Sequence, residues 1–310
     1  MRAIRLAGIF ALVTVAYLIL WMAGIVIGGM IFPAEIAASE ASGTQALLMM
    51  LSAAGLNTAV LMVAVAYARW RGIKLTATIA AEIFGIQFFM SQIETLLFNT
   101  ALGLPENLIY AILFGGLMIA LGVAPLLVWL MGKMRGPEEA AAFQTRSALD
   151  YVWRIGLLAV FVYPALYILA GHFIAWQFPE VRALYTGSTA GRSFMDSLIP
   201  FVTDGLWGIQ IVRGVLWILL GAPVLWMTRG GFPRSGLVLG LLFAVLMNAQ
   251  HLIPNPYMPG IVPLAHGIET AVSNFIWGFA IAWLLTPKPL HETTARKDLP
   301  PTLRTTTTPT

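Results

Sequence analysis

Residues 6–32 read LAGIFALVTVAYLILWMAGIVIGGMIF, a run of 27 residues without one charged side chain. A helix needs only ~20 apolar residues to cross a ~30 Å hydrocarbon core. In that core a chain must satisfy its own N–H and C=O groups, and a helix does so within a single segment. Arg2 and Arg5 precede the run and the small residues between Ala34 and Ser42 follow it, as around a secretory signal. The apolar core of a signal peptide is roughly 7–15 residues, however, so the run is read as a retained first span.

Seven more runs of this kind follow. Together the spans lie at about 6–32, 45–68, 75–98, 108–131, 151–176, 205–228, 235–253 and 261–285. Composition agrees, with 59% of the 310 residues hydrophobic and 10% charged, against roughly 25% charged in a soluble domain. Mean hydropathy is +0.82. A soluble globular protein is excluded, and the fold class is an all-α polytopic membrane domain of about eight helices over 1–286. Residues 287–310 hold five Pro and eight Thr in 24 positions, the composition of a disordered tail.

Orientation follows from charge. The N-terminus, the second, fourth and sixth connections and the tail carry fifteen of the eighteen Lys and Arg residues. The other side has Arg182 and Arg192, and Arg213 falls inside a span. The positive-inside rule therefore puts both termini in the cytoplasm, with the plasma membrane, as in a bacterial inner membrane, as the expected location. This distribution also explains the net charge of +4 without a nucleic-acid surface, so no nucleic-acid partner is expected. The absence of Cys excludes thiol nucleophiles, thiolate metal sites and disulfides.

Two connections are long. The cytoplasmic one, 132–150, holds Glu138, Glu139, Arg146 and Asp150 around Ala-rich sequence and is read as a short surface helix. The external one, 177–204, is read as a short interfacial helix from Pro179, then a flexible stretch through Gly187 to Gly191. It would act as a lid or rest on the headgroups. Pro254 to Gly260 reads as a stiff turn, and Trp153, Trp176, Trp207 and Trp283 read as an aromatic belt.

Four spans precede the cytoplasmic connection and four follow it, giving candidate halves 1–131 and 149–286 joined by 132–148, in parallel orientation. A shift of 158 superposes Arg71-Gly72 on Arg229-Gly230 and Gln92 on Gln250; a shift of 147 superposes Ala23-Gly24 on Ala170-Gly171. Duplication and coincidence in an Ala- and Gly-rich chain both account for so few identities. Eight spans in two halves is an architecture similar to that of haem A synthases. No His lies in the first half, however, and the paired His and Glu-Xaa-Xaa-His of that family are not seen, so haem is not expected.

Ionisable side chains inside a span cost at least a few kcal/mol and mark function or packing. Counting ~1.5 Å per residue from the external ends, His251 lies ~3 Å deep, His172 and Glu94 ~6 Å, His266 and Gln210 ~7.5 Å, Gln92 ~9 Å, and Glu269 and Arg213 ~12 Å. They form one layer in the outer half, consistent with an outward-facing polar cavity. The inner half has chiefly Glu82, with Asn57 near the midplane.

Within the layer, His266 and Glu269 are spaced i,i+3 and share a helix face. Gln87 and Glu94, seven apart, share another, with Gln92 off it. Arg213 needs a carboxylate, a lipid phosphate or an anionic substrate, and Glu94 or Glu269 would supply the first. The candidate substrate-binding set is Glu94, Arg213, His266, Glu269, Gln92 and Gln210. The candidate ligand set for a divalent metal is His172, His251, His266 and Glu269.

Three functions fit these residues. The first is a transporter or permease for a lipid or small solute. The second is an intramembrane metal-dependent enzyme in which the His and Glu residues activate water, and the third is a structural or assembly subunit of a membrane complex. No Gly-Xaa4-Gly-Lys-Ser/Thr motif is present, which argues against direct ATP use.

Overall fold

The computed structural model describes residues 2–37, 41–139, 143–144 and 146–289. Eight of its helices are long and apolar enough to cross a membrane. In chain order the helices are α1 (Ala3–Ile31), α2 (Gly43–Tyr67), α3 (Gly72–Leu102), α4 (Glu106–Leu130) and α5 (Ala148–Gln177). Two short helices follow, α6 (Pro179–Thr186) and α7 (Phe194–Thr203). The chain then forms α8 (Leu206–Met227), α9 (Phe232–Leu252) and α10 (Val262–Leu285). The long helices lie where the apolar runs were read. Ser42 caps α2 through Gln45 N, and α3 ends at Gly103, whose φ of 66° is open to glycine without steric cost.

Each half packs in the same pattern. Helix α1 lies on α2 and α4 while α3 lies on α4; correspondingly, α5 lies on α8 and α10 while α9 lies on α10. Between the halves α3 meets α9, α2 meets α9 and α8 meets α3. Small residues set the two closest crossings. A Cβ on Gly24 would stand 2.7 Å from Gly115 Cα and one on Gly28 2.8 Å from the Ala111 carbonyl oxygen, while one on Gly278 would stand 2.7 Å from Gly240 Cα. Close backbone approach of this kind is how helices associate where lipid is as apolar as the side chains.

The face at which α1 begins and α10 ends is tied across the halves. Ala68 and Thr228 form an antiparallel bridge, flanked by Arg69 N donating to Met227 O (2.7 Å) and Arg229 N donating to Tyr67 O (3.0 Å). The side chains repeat the exchange: Arg69 Nε donates to Trp226 O at 2.7 Å and Arg229 donates to Ala66 O at 2.5 Å. Lys133 reaches the carbonyls of Ala66 and Ala68, and Arg229 pairs with Glu139 at 3.0 Å.

Two connections differ from expectation. The described residues of 132–147 hold no helix, because Gly132 and Gly136 have φ of 71° and 104° and Pro137 follows. Residues 143–144 instead pair with 288–289 in a two-residue ladder. In 177–204 the expected helix α6 forms, but α7 follows it. Ser193 and Asp196 make a reciprocal capping box there, a signature visible in the sequence as Ser-Phe-Met-Asp. Of the tail, residues 290–310 lie outside the described residues.

Candidate functional site

Between α3, α5, α9 and α10, and lined also by loop residues Ile36, Leu104 and Pro254 to Met258, lies a cavity of about 400 Å³. Its polar wall holds Gln92, Glu94, His251, His266 and Glu269, five of the residues singled out in the sequence. Aromatic side chains make up much of the rest: Trp21, Phe88, Phe98, Tyr167, Trp176 and Tyr185.

Glu94 and Arg213 form an ion pair at 2.5 Å. The guanidinium also donates to Gln210 Oε1 at 2.9 Å and stands 5.9 Å over the rings of Tyr163 and Tyr167. Of the partners open to Arg213, a carboxylate is therefore present, and it is that of Glu94. The pair is asymmetric: the Arg213 side chain is 2% exposed and that of Glu94 24%. Arg213 and Gln210 stand behind the wall and Glu94 in it.

His266 and Glu269 are joined, Nδ1 to Oε2, at 2.9 Å. In the tautomer that donates Nδ1–H to that carboxylate, the lone pair of a neutral ring lies on Nε2, and Nε2 has no protein partner. Gly267 lies beside His251 and Gly171 beside Glu269, each at ordinary van der Waals distance. Tyr185 stacks edge-on against His266 at 5.5 Å. Burial raises its phenol above the ordinary range, reinforced by Glu94 and Glu269, and holds it as an uncharged hydroxyl. Tyr185 reaches the cavity because Val181 of α6 is buried against Ala175, Val262 and Ala265.

His172 is elsewhere. Its Nδ1 lies 3.1 Å from Ser197 Oγ and its ring packs on Phe173 and Phe194. Among the described residues no three His, Asp or Glu side chains come together as metal ligands, so the four residues proposed from depth do not assemble. Gln87 and Glu94 also part company: Gln87 Oε1 accepts from Tyr17 and from Asn57, the latter at 3.2 Å. The reason is a π-helical segment over Ile83–Met90, whose i→i+5 turns rotate everything beyond it relative to an α-helix. Gln92 and Glu94, both beyond that segment, line the cavity together. Glu82 is fully buried outside the cavity, with neither carboxyl oxygen bonded to protein.

The aromatic wall was not foreseen. Trp176 was read as part of a belt, and Tyr185 lies on a helix whose return over the cavity depends on tertiary packing. Fold and site together define a polytopic helical membrane protein with an amphipathic cavity within the bundle. Comparison with protein-family models, curated proteins and solved structures finds no match to the chain.

Proposed function

We propose that the protein is a permease that binds a small amphipathic solute or lipid in this cavity and passes it across the membrane. The carrying observation is the cavity itself: aromatic walls, carboxylates within the bundle, and the 254–258 loop among its lining. Small-molecule sites are concave, mostly apolar and fixed by a few polar groups. The reciprocal ties at Ala68 and Thr228 support the reading, because they hold the other face together where the halves would part in an alternating-access cycle. The matched packing of the halves supports a duplication with parallel repeats, an arrangement found among transporters. The basic residues gathered on the tied face support cytoplasmic termini in a plasma membrane.

The chain has no cysteine, which makes a locking experiment direct. Ala68 and Thr228 form a non-hydrogen-bonded antiparallel pair, with Cα atoms ~4.5 Å apart in such pairs, within disulfide range. Proteoliposomes loaded with a mixture of small cationic, anionic and neutral amphiphiles are expected to release a subset through the wild type. Oxidised Ala68→Cys/Thr228→Cys protein should stop that release, and dithiothreitol should restore it. Release of no solute, or release indifferent to the lock, would overturn the permease reading and favour a structural subunit.

The bonded His266–Glu269 pair favours a second reading, acid–base catalysis in the membrane. The hydroxyls of Ser91, Thr95 and Thr270 nearby are engaged with backbone carbonyls, so water would be the nucleophile.

A further inference from the structure

The charged wall of the cavity is one-sided. Glu94 and Glu269 line it. Each has one oxygen in a protein hydrogen bond, Oε1 of Glu94 to Arg213 and Oε2 of Glu269 to His266. The other oxygen of each is outside any protein hydrogen bond among the described residues. The strongest cation nearby is withheld, since Arg213 is not in the wall and its guanidinium is held by Glu94 and Gln210. An anion entering the cavity would meet carboxylates and would have to break the 2.5 Å pair to reach a positive charge. A cation with N–H donors meets the carboxylate oxygens that are outside any protein hydrogen bond. It also meets the faces of Trp and Tyr rings, which attract positive charge. A bare divalent metal is poorly served, because no three ligating side chains converge among the described residues.

The apolar side also has room. A second cleft of about 100 Å³ shares Trp21, Ile36, Phe88, Leu108 and Ile112 with the cavity and runs toward Gly24 and Gly115. We infer that the ligand of this site is a protonated amine carrying an apolar body, its ammonium between Glu94 and Glu269 and its body along the aromatic wall. The inference rests on the permease reading and narrows its substrate class.

The test uses three molecules of one shape: 4-phenylbutylammonium, 4-phenylbutan-1-ol and 4-phenylbutanoate, titrated calorimetrically into the full chain in lipid nanodiscs. The amine is expected to bind about tenfold or more tighter than the alcohol, and the carboxylate weakest. Glu94→Gln should cost the amine about tenfold and leave the alcohol unchanged. Should Glu94→Gln misfold because it strands Arg213, Glu269→Gln provides the same comparison. Alcohol or carboxylate binding as tightly as the amine would overturn the amine class and leave the cavity as a binding site. No binding by any of the three would overturn the inference as well, while the permease reading is decided separately by the disulfide lock. Adding phosphatidylethanolamine to nanodiscs of anionic lipid separates two sources of the same chemistry. Competition by it assigns the ammonium to a lipid headgroup, its absence to a free amine, and either keeps the class.

Discussion

Arg213 illustrates how much a single intramembrane charge determines. It sits at 1% exposure on α8, where an isolated guanidinium would be too costly to keep, and Glu94 on α3 provides the counter-charge across the interface between the halves. Removing one member of a buried pair leaves the other uncompensated, at about 3–5 kcal/mol. Arg213→Ala is therefore expected to lower folded yield and thermal stability by an amount of that order. Glu94→Gln/Arg213→Gln, which removes both charges, should recover most of it. Size-exclusion yield and unfolding midpoints decide the matter, and wild-type behaviour of Arg213→Ala would show that the pair does not hold the bundle. The need of Arg213 for a partner was legible in the sequence, as was the His266–Glu269 spacing. Which carboxylate it would take was not, because depth along an axis says nothing of which helices are neighbours. His172 shows the same gap: its depth matched the layer, yet α7 draws it to Ser197.

At the scale of elements, the eight spans were readable because each apolar run ends in charge, Pro or Gly, and the bilayer permits few other structures. The short elements were less so. Reading 132–150 as a helix gave weight to Ala and Glu and too little to Gly132, Gly136 and Pro137, and the π-helical segment in α3 has no sequence signal that we can name. Glycine positions carry more. Gly24 and Gly28 on α1 face Ala111 and Gly115 on α4, so a side chain at Gly24 has backbone, not a movable side chain, in its path. Gly24→Leu is expected to destabilise the protein by about 1–3 kcal/mol, the usual cost of forcing volume into a packed contact. Gly8→Leu, on the same helix with nothing within 4 Å of its Cβ position, should be neutral. Denaturation midpoints in mixed micelles compare the two. Equal midpoints would mean that α1 and α4 do not depend on this crossing.

At the scale of the whole molecule, the ties between the halves are built from basic residues crowded on one face, and this gives them a pH dependence. Lys133 bridges the carbonyls of Ala66 and Ala68 while standing close to Arg229 and Arg71. Burial, then the charges of Arg229 and Arg71, lower its ammonium to about 8, with Glu139 opposing. A base depressed in the folded protein means that the unfolded chain binds more protons between that value and the ordinary ~10.4 of lysine, so stability rises with pH across that interval. Below pH 8 the repulsion is fully present; above about 10.4 it is gone, and the neutral amine still donates to both carbonyls. Half-exposed charges are screened, so the effect is modest, and other groups titrate in the same range. The informative quantity is thus the difference between wild type and Lys133→Met. Between pH 7.5 and 10 the wild-type unfolding midpoint should rise relative to that of the variant. Parallel pH profiles for wild type and variant would mean that Lys133 is not the group that senses pH at this face, and that the halves are held there by the reciprocal backbone and arginine bonds alone.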